Sequence, residues 1–234
     1  MAPIDELTIL VPVDVSESEL PPLQILDLLK PIEVVLLGYF PVPDQAEPAL
    51  IKDEYEAEAV TKLQTLAHGR DLTDVLVFTH DRAATIDRIA HQYDSDAVLA
   101  GGDTAVINRI LVPLRGDVNL DRIVSVVADL ARACDATITL FHSVTEDTNQ
   151  SHGEFLLRGA VERLTDYGID EGKIDWRLGA GGSPQDEIIA LCDEYDIVIL
   201  GETEPSLRER IIGDVLSRII DEIEIPALIV RDVE

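Results

Sequence analysis

Lysine is almost missing from this chain: Lys30, Lys52, Lys62 and Lys173 are the only four among 18 basic residues in 234, and arginine supplies the rest. Against them stand 46 Asp and Glu, for a formal net charge of −28. A surface this acidic repels phosphate backbones, and with only 4% aromatic residues there are few platforms on which bases could stack. General nucleic-acid binding is excluded on both counts. Cysteine is scarce too. Cys134 and Cys192 lie in amphipathic runs with no CxxC or metal-ligand spacing, so they read as buried thiols rather than a disulfide or a zinc site. No apolar run approaches the ~18 residues of a membrane span. The first residues, Met1-Ala2-Pro3-Ile4-Asp5-Glu6, carry acid where a secretory signal carries base. The expectation is a soluble, cytoplasmic protein with no membrane insertion.

What is present is a globular composition, 46% hydrophobic and 27% charged, in a length that suits one large domain or two small ones. Self-repulsion at −28 destabilises a compact state at low ionic strength, but at molar salt the Debye length falls to about 3 Å and the cost largely disappears. An acid-rich, lysine-poor chain is therefore expected in the cytosol of an extreme halophile, most simply a haloarchaeon.

Apolar runs of strand length alternate with longer stretches at helical spacing, the pattern of a parallel sheet covered by helices. Strands are expected at 7–14, 32–40, 75–79 and 97–100, with helices at 20–29, 47–68 and 83–93 between them. A second series follows: strands at 110–114, 137–142, 174–178 and 196–201, and helices at 120–134, 155–167, 185–195 and 215–223. A last strand runs over 226–231. Ile110-Leu111-Val112-Pro113 repeats Ile9-Leu10-Val11-Pro12 at an offset of 101 residues, and the run from Asp196 to Gly201 repeats Asp96 to Gly101 at an offset of 100. Two matches at nearly equal offset indicate internal duplication. The expected organisation is a truncated repeat over 1–105 and a complete one over 108–234, because only the second continues into a loop, a helix and a closing strand.

A half that opens on Ile-Leu-Val-Pro, has a fourth strand Asp-Ile-Val-Ile-Leu-Gly and closes on Ile225-Pro226-Ala227-Leu228-Ile229-Val230-Arg231 resembles the universal stress protein family. The resemblance spans the whole chain as a tandem and is stronger over 108–234. It implies an α/β fold of Rossmann-like, adenine-nucleotide alpha-hydrolase-like parallel sheets with helices on both faces. It also implies a cytosolic stress-response role, in which some members bind ATP or AMP and others do not.

In the nucleotide-binding members, the loop after the fourth strand reads G-x-x-G, a further nine residues, then G-(S/T). Glycines let backbone amides approach phosphate, and the hydroxyl adds a donor at a helix N-terminus. Here the segment runs from Gly201 to Asp214 and is one residue short. Gly201 and Gly213 match, but Glu204 stands at the second glycine position and Asp214 at the hydroxyl position. At an effective dielectric of 20, one like-charge contact at 4 Å is worth about 4 kcal/mol before screening, so ATP binding in the family manner is disfavoured. Thr203, Ser206, Arg208 and Arg210 offset part of this. The family also uses an aspartate at the end of the first strand to contact adenosine; Asp14 matches it in the first half, and Arg115 replaces it in the second. Neither half holds a complete set. The expectation is a non-enzymatic protein without a cofactor that acts through protein contacts. The alternative is an ATP- or AMP-binding module built on Asp14, Arg115, Gly201, Thr203, Ser206 and Gly213.

Other candidates carry less. His68, His80, His91, His142 and His152 share no metal spacing. The glycine-rich run Gly179 to Ser183 reads as a strand-to-helix turn capped by Ser183, with an anion on its amides as the alternative. No G-x-S-x-G elbow or P-loop is present, so no common hydrolase or kinase chemistry is signalled. The closing strand is apolar and expected at a sheet edge. It should pair with its copy in a homodimer through residues 226–231, or else lie over the truncated first half.

Overall fold

The computed structural model describes residues 7–20, 23–144, 150–202 and 214–232. In the first half, strand β1 (Thr8–Asp14) leads through a single turn α1 (Ile25–Leu28) to β2 (Glu33–Pro41). Helix α2 (Pro48–Ala67), β3 (Thr73–Thr79), α3 (Arg82–Gln92) and β4 (Ala97–Ala100) follow. In the second half, β5 (Arg109–Pro113), α4 (Leu120–Cys134), β6 (Thr137–His142) and α5 (Gln150–Asp166) come first. They are followed by β7 (Ile174–Leu178), α6 (Pro184–Cys192), β8 (Ile197–Gly201), α7 (Asp214–Glu222) and β9 (Ala227–Val230).

All nine strands form one sheet in the order β3-β2-β1-β4-β9-β8-β5-β6-β7. Every neighbouring pair is parallel except β4–β9, where Ala97 faces Val230 and Ala100 faces Ala227 in antiparallel register. Strands buried on both faces read as unbroken apolar runs, and their residues alternate between two cores. Ile9, Val11, Ile110, Val112, Ile199 and Leu228 share one core with residues of α2, α4 and α5. On the other face, Leu10, Val35 and Val98 pack with α3, while Leu111, Val198 and Ala227 pack with α6 and α7.

This topology corrects the expectation of a homodimer through 226–231. β9 is not an edge: it pairs in parallel with β8 and antiparallel with β4, so both of its rows of amides and carbonyls are used inside the chain. All four of its residues are buried. Gly102, after β4, fixes the junction. At φ +46°, a Cβ there would lie 2.4 Å from both the Ile225 carbonyl carbon and the Pro226 nitrogen, so only glycine lets the chain leading into β9 pass.

Two helices start away from their expected bounds, and α6 ends at Cys192 rather than at 195. The helix expected over 20–29 is reduced to Ile25–Leu28, because the Asp103 carboxylate takes the Gln24 and Ile25 amides at 2.9 and 3.0 Å and fixes the start of the turn there. α5 begins at Gln150 rather than 155 and includes Gly153, where a Cβ would fall 2.7 Å from His142 Cδ2. That glycine serves close packing within the helix rather than breaking it.

Candidate functional site

In open parallel sheets, ligands are received beyond the carboxyl ends of the strands. Because β4 and β9 run antiparallel, the carboxyl ends of β1 to β4 and those of β5 to β8 lie on opposite edges of the sheet. Asp14 ends β1, whereas Arg115 follows β5 and Gly201 ends β8. The fold therefore brings Arg115 and Gly201 to one edge and leaves Asp14 on the other. Thr203, Ser206 and Gly213 lie outside the described residues, as do Glu204, Arg208 and Arg210.

Each described group has a local role. Asp14 Oδ1 accepts from the Ser16 amide at 2.9 Å and from the Ser16 hydroxyl at 2.6 Å, closing a turn of its own. Lys62, reaching over from α2, donates to the carbonyls of Val15 and Glu17 at 3.2 and 2.8 Å while paired to Glu58, and pins that turn against the sheet. Arg82 stands 5.1 Å over the Tyr39 ring beside it. Burial raises the Tyr39 phenol above its usual range, the nearby Asp14 and Glu17 carboxylates add to this, and Arg82 opposes it.

On the second edge, Arg115 is exposed. Gly201 packs so closely that a Cβ would lie 2.5 Å from Ile123 Cδ1, so its lack of a side chain serves the α4 contact. His142 is buried, with Nδ1 2.7 Å from the Leu114 carbonyl oxygen. Beside it lies the glycine-rich run, and its occupant was not foreseen from the sequence. Glu187, one turn into α6, folds back so that Oε1 accepts from the amides of Ala180 and Gly182 at 2.8 and 3.2 Å, while Oε2 accepts from the Ser143 hydroxyl. Desolvation raises the Glu187 carboxyl, but the donors from Ser143, Gly182, Ala180 and Gly181 outweigh it and hold it below its ordinary value. Ser183 holds the N-cap position ahead of Pro184, as expected, but its hydroxyl makes no capping hydrogen bond and bonds to Gln185 Oε1 at 3.0 Å instead. The amides that would greet an anion hold the chain's own carboxylate.

The halves also share a structural use of aspartate. Asp96 Oδ2 accepts from the Thr8 amide at 2.9 Å, and Asp196 Oδ2 accepts from the Asn108 and Arg109 amides at 2.8 and 2.9 Å. The Asp96–Thr8 and Asp196–Asn108 bonds each span 88 residues. Two arginines of the second half then reach into the first. Arg122 donates to Asp96 Oδ1 at 2.9 Å. Arg231, only 6% exposed, donates to Asp87 Oδ1 at 3.2 Å and to the Ser95 carbonyl at 3.4 Å.

Among the described residues no group of three or more His, Cys, Asp or Glu is placed to hold a metal ion. Likewise, no helix is long and apolar enough to cross a membrane. Both thiols are free; Cys134 is half-buried and raised by burial. Cys192 is buried and pushed up to about 12, chiefly by desolvation and secondarily by Asp193, which leaves it inert near neutral pH.

The model of the Universal stress protein family matches residues 107–231. No curated protein sequence matches the chain. Among solved structures, a universal stress protein from Archaeoglobus fulgidus DSM 4304 is similar at a TM-score of 0.69 and 14% identity, over 96% of this chain and 98% of that one. A putative universal stress protein from Pseudomonas aeruginosa UCBPP-PA14 gives 0.58 at 16% identity, covering 97% and 93%. The cytoplasmic domain of a prokaryotic cation chloride cotransporter gives 0.51 at 14%, covering 96% and 95%. At such identities the common feature is the fold.

Proposed function

Because the chain belongs to the universal stress protein family, we propose that it is a tandem, non-enzymatic member acting in the cytoplasm through protein contacts, with no nucleotide cofactor. The observation that carries this reading is the occupation of its would-be anion donors by its own carboxylates. Glu187 fills the amides of the 180–182 loop, and Asp103 fills the first amides of α1. In the loop from 201 to 214, the sequence sets Glu204 and Asp214 where the binding members have glycine and a hydroxyl. The matching strand orders, β3-β2-β1-β4 and β7-β6-β5-β8, and the recurrent aspartate bond support the tandem. The composition supports adaptation to molar salt.

A second reading keeps ATP or AMP, on the strength of one observation: the exposed Arg115 follows β5, the strand paired with β8, which ends at Gly201. Titration of wild-type protein with labelled ATP and with AMP at high KCl, followed by product analysis, separates these readings. The expected result is no saturable binding at submillimolar nucleotide and no hydrolysis. Saturable binding would establish the second reading, and released product would make the protein an enzyme.

A further inference from the structure

The two outer strands of the sheet are guarded differently. β7 places the exposed charges Asp175 and Arg177 between its apolar residues, a common way to discourage strand addition. β3 runs Val75-Leu76-Val77-Phe78 with no charge between Asp74 and His80, and no strand covers its outer side among the described residues. The Thr79 carbonyl accepts the Val42 amide, so Thr79 turns its main-chain groups toward the β2 side. Main-chain groups alternate along a strand, hence those of Asp74, Leu76 and Phe78 face outward, with no strand partner among the described residues.

Above this edge the first three turns of α2 overhang. Of its twenty residues only Ala59, Leu63 and Leu66 are buried, while Leu50 is 65% exposed. Between helix and strand lies a groove of about 350 Å³ lined by Ala49, Val60, Leu76, Val77 and Phe78. Phe78 stacks on Phe40 at 5.0 Å between ring centroids, and Phe40 meets Tyr55 of α2 at 5.3 Å. A chain with ten aromatic residues gathers three of them here.

Charge decides what fits. Glu56 lines the groove, and Asp53, one turn from both Ala49 and Glu56, is exposed on the same side of the helix. Lys52, also lining it, is paired to Glu56 at 3.4 Å. A second copy docked edge to edge would set these carboxylates against one another, whereas cations at the ends of an incoming segment would meet them favourably. We propose that the β3 edge receives an extended segment of a partner protein, apolar at alternate positions and flanked by Lys or Arg, which adds as a tenth strand under α2. The seven residues of β3 offer about 23 Å of edge, enough for a segment of similar length.

This rests on the protein-contact reading and gives it a surface. The probe is a fluorescent peptide of alternating Val and Thr with Lys-Arg at both ends, compared with the same core bearing Glu-Asp ends, by anisotropy at moderate KCl. Saturable binding of the basic peptide is expected, with the acidic one at least tenfold weaker. Leu76→Pro removes an outward amide without touching the β2 ladder and should abolish binding. The exposed pair Asp53→Lys with Glu56→Lys should weaken the basic peptide about tenfold, and a variant binding it as tightly as wild type would overturn the charge argument. Equal binding of both peptides, or of neither, overturns the proposal. So does a wild-type dimer that Leu76→Pro converts to monomer, which would make a second copy the occupant. Failure here with no nucleotide bound would remove this surface alone; nucleotide binding by wild type would remove the parent reading whatever the peptides do.

Discussion

At the glycine-rich run, the deciding residue is Glu187. Its carboxylate accepts from Ala180, Gly182 and Ser143 at once, and hydrogen bonds to a charged group are the stronger kind. Glu187→Ala is expected to cost about 2 kcal/mol in urea unfolding at pH 7. The folded carboxyl sits below its unfolded value of about 4.3. Its stabilisation is thus complete above that value and lost as pH falls through the folded one. The wild-type advantage should shrink as pH falls below the unfolded value, and an advantage unchanged as the acid range is entered from pH 7 would contradict the ionic role. A glycine-rich turn between strand and helix is legible in the sequence. Its occupant is not, because Glu187 lies one turn beyond and carries the same letter as many solvated glutamates. Gly179 is a partial signal: a Cβ there would fall 2.3 Å from Glu187 Oε2.

At the scale of elements, β9 joins the halves and Arg231 locks it. The guanidinium is buried on α3 and the turn before β4, bonding Asp87 and Ser95. Asp87 stays half-exposed, so removing its partner strands no fully buried charge. Arg231→Met is therefore expected to cost about 2 kcal/mol, below the 3–5 kcal/mol of a broken buried pair. Urea unfolding measures it, and a neutral result would show that the strand pairing alone holds β9. The alternation of strands and helices, and most of their bounds, follow from periodicity and punctuation. The place of β9 does not, since an apolar strand of four residues fits an edge or a centre equally well and the choice depends on a partner 133 positions earlier, as in Ala97 against Val230. The repeated Asp96 and Asp196 were visible as a motif; what they bond to emerges only when β1 lies beside β4 and β5 beside β8.

Over the whole molecule, 18 bases face 46 acids, so at least 28 carboxylates have no basic side chain to neutralise them. Exposed ion pairs such as Lys30–Asp27 and Arg177–Glu194 are each worth about 0–1 kcal/mol, and what salt removes there is small beside the repulsion it relieves. The melting temperature should rise by more than about 5 °C between 0.2 M and 2 M KCl, roughly 2 kcal/mol for a chain of this size. A flat profile would contradict adaptation to salt. The same excess of negative charge opposes a polyphosphate, most sharply where Glu204 and Asp214 replace glycine and a hydroxyl. The most direct measurement is therefore calorimetric titration of ATP into wild type and into the double variant Glu204→Gly with Asp214→Ser, in one KCl buffer. No saturable binding below millimolar ATP is expected for wild type, with affinity in the variant better by on the order of tenfold, about 1.4 kcal/mol. Tight binding by wild type would contradict exclusion of the nucleotide, and equal failure of both proteins would contradict charge as its cause.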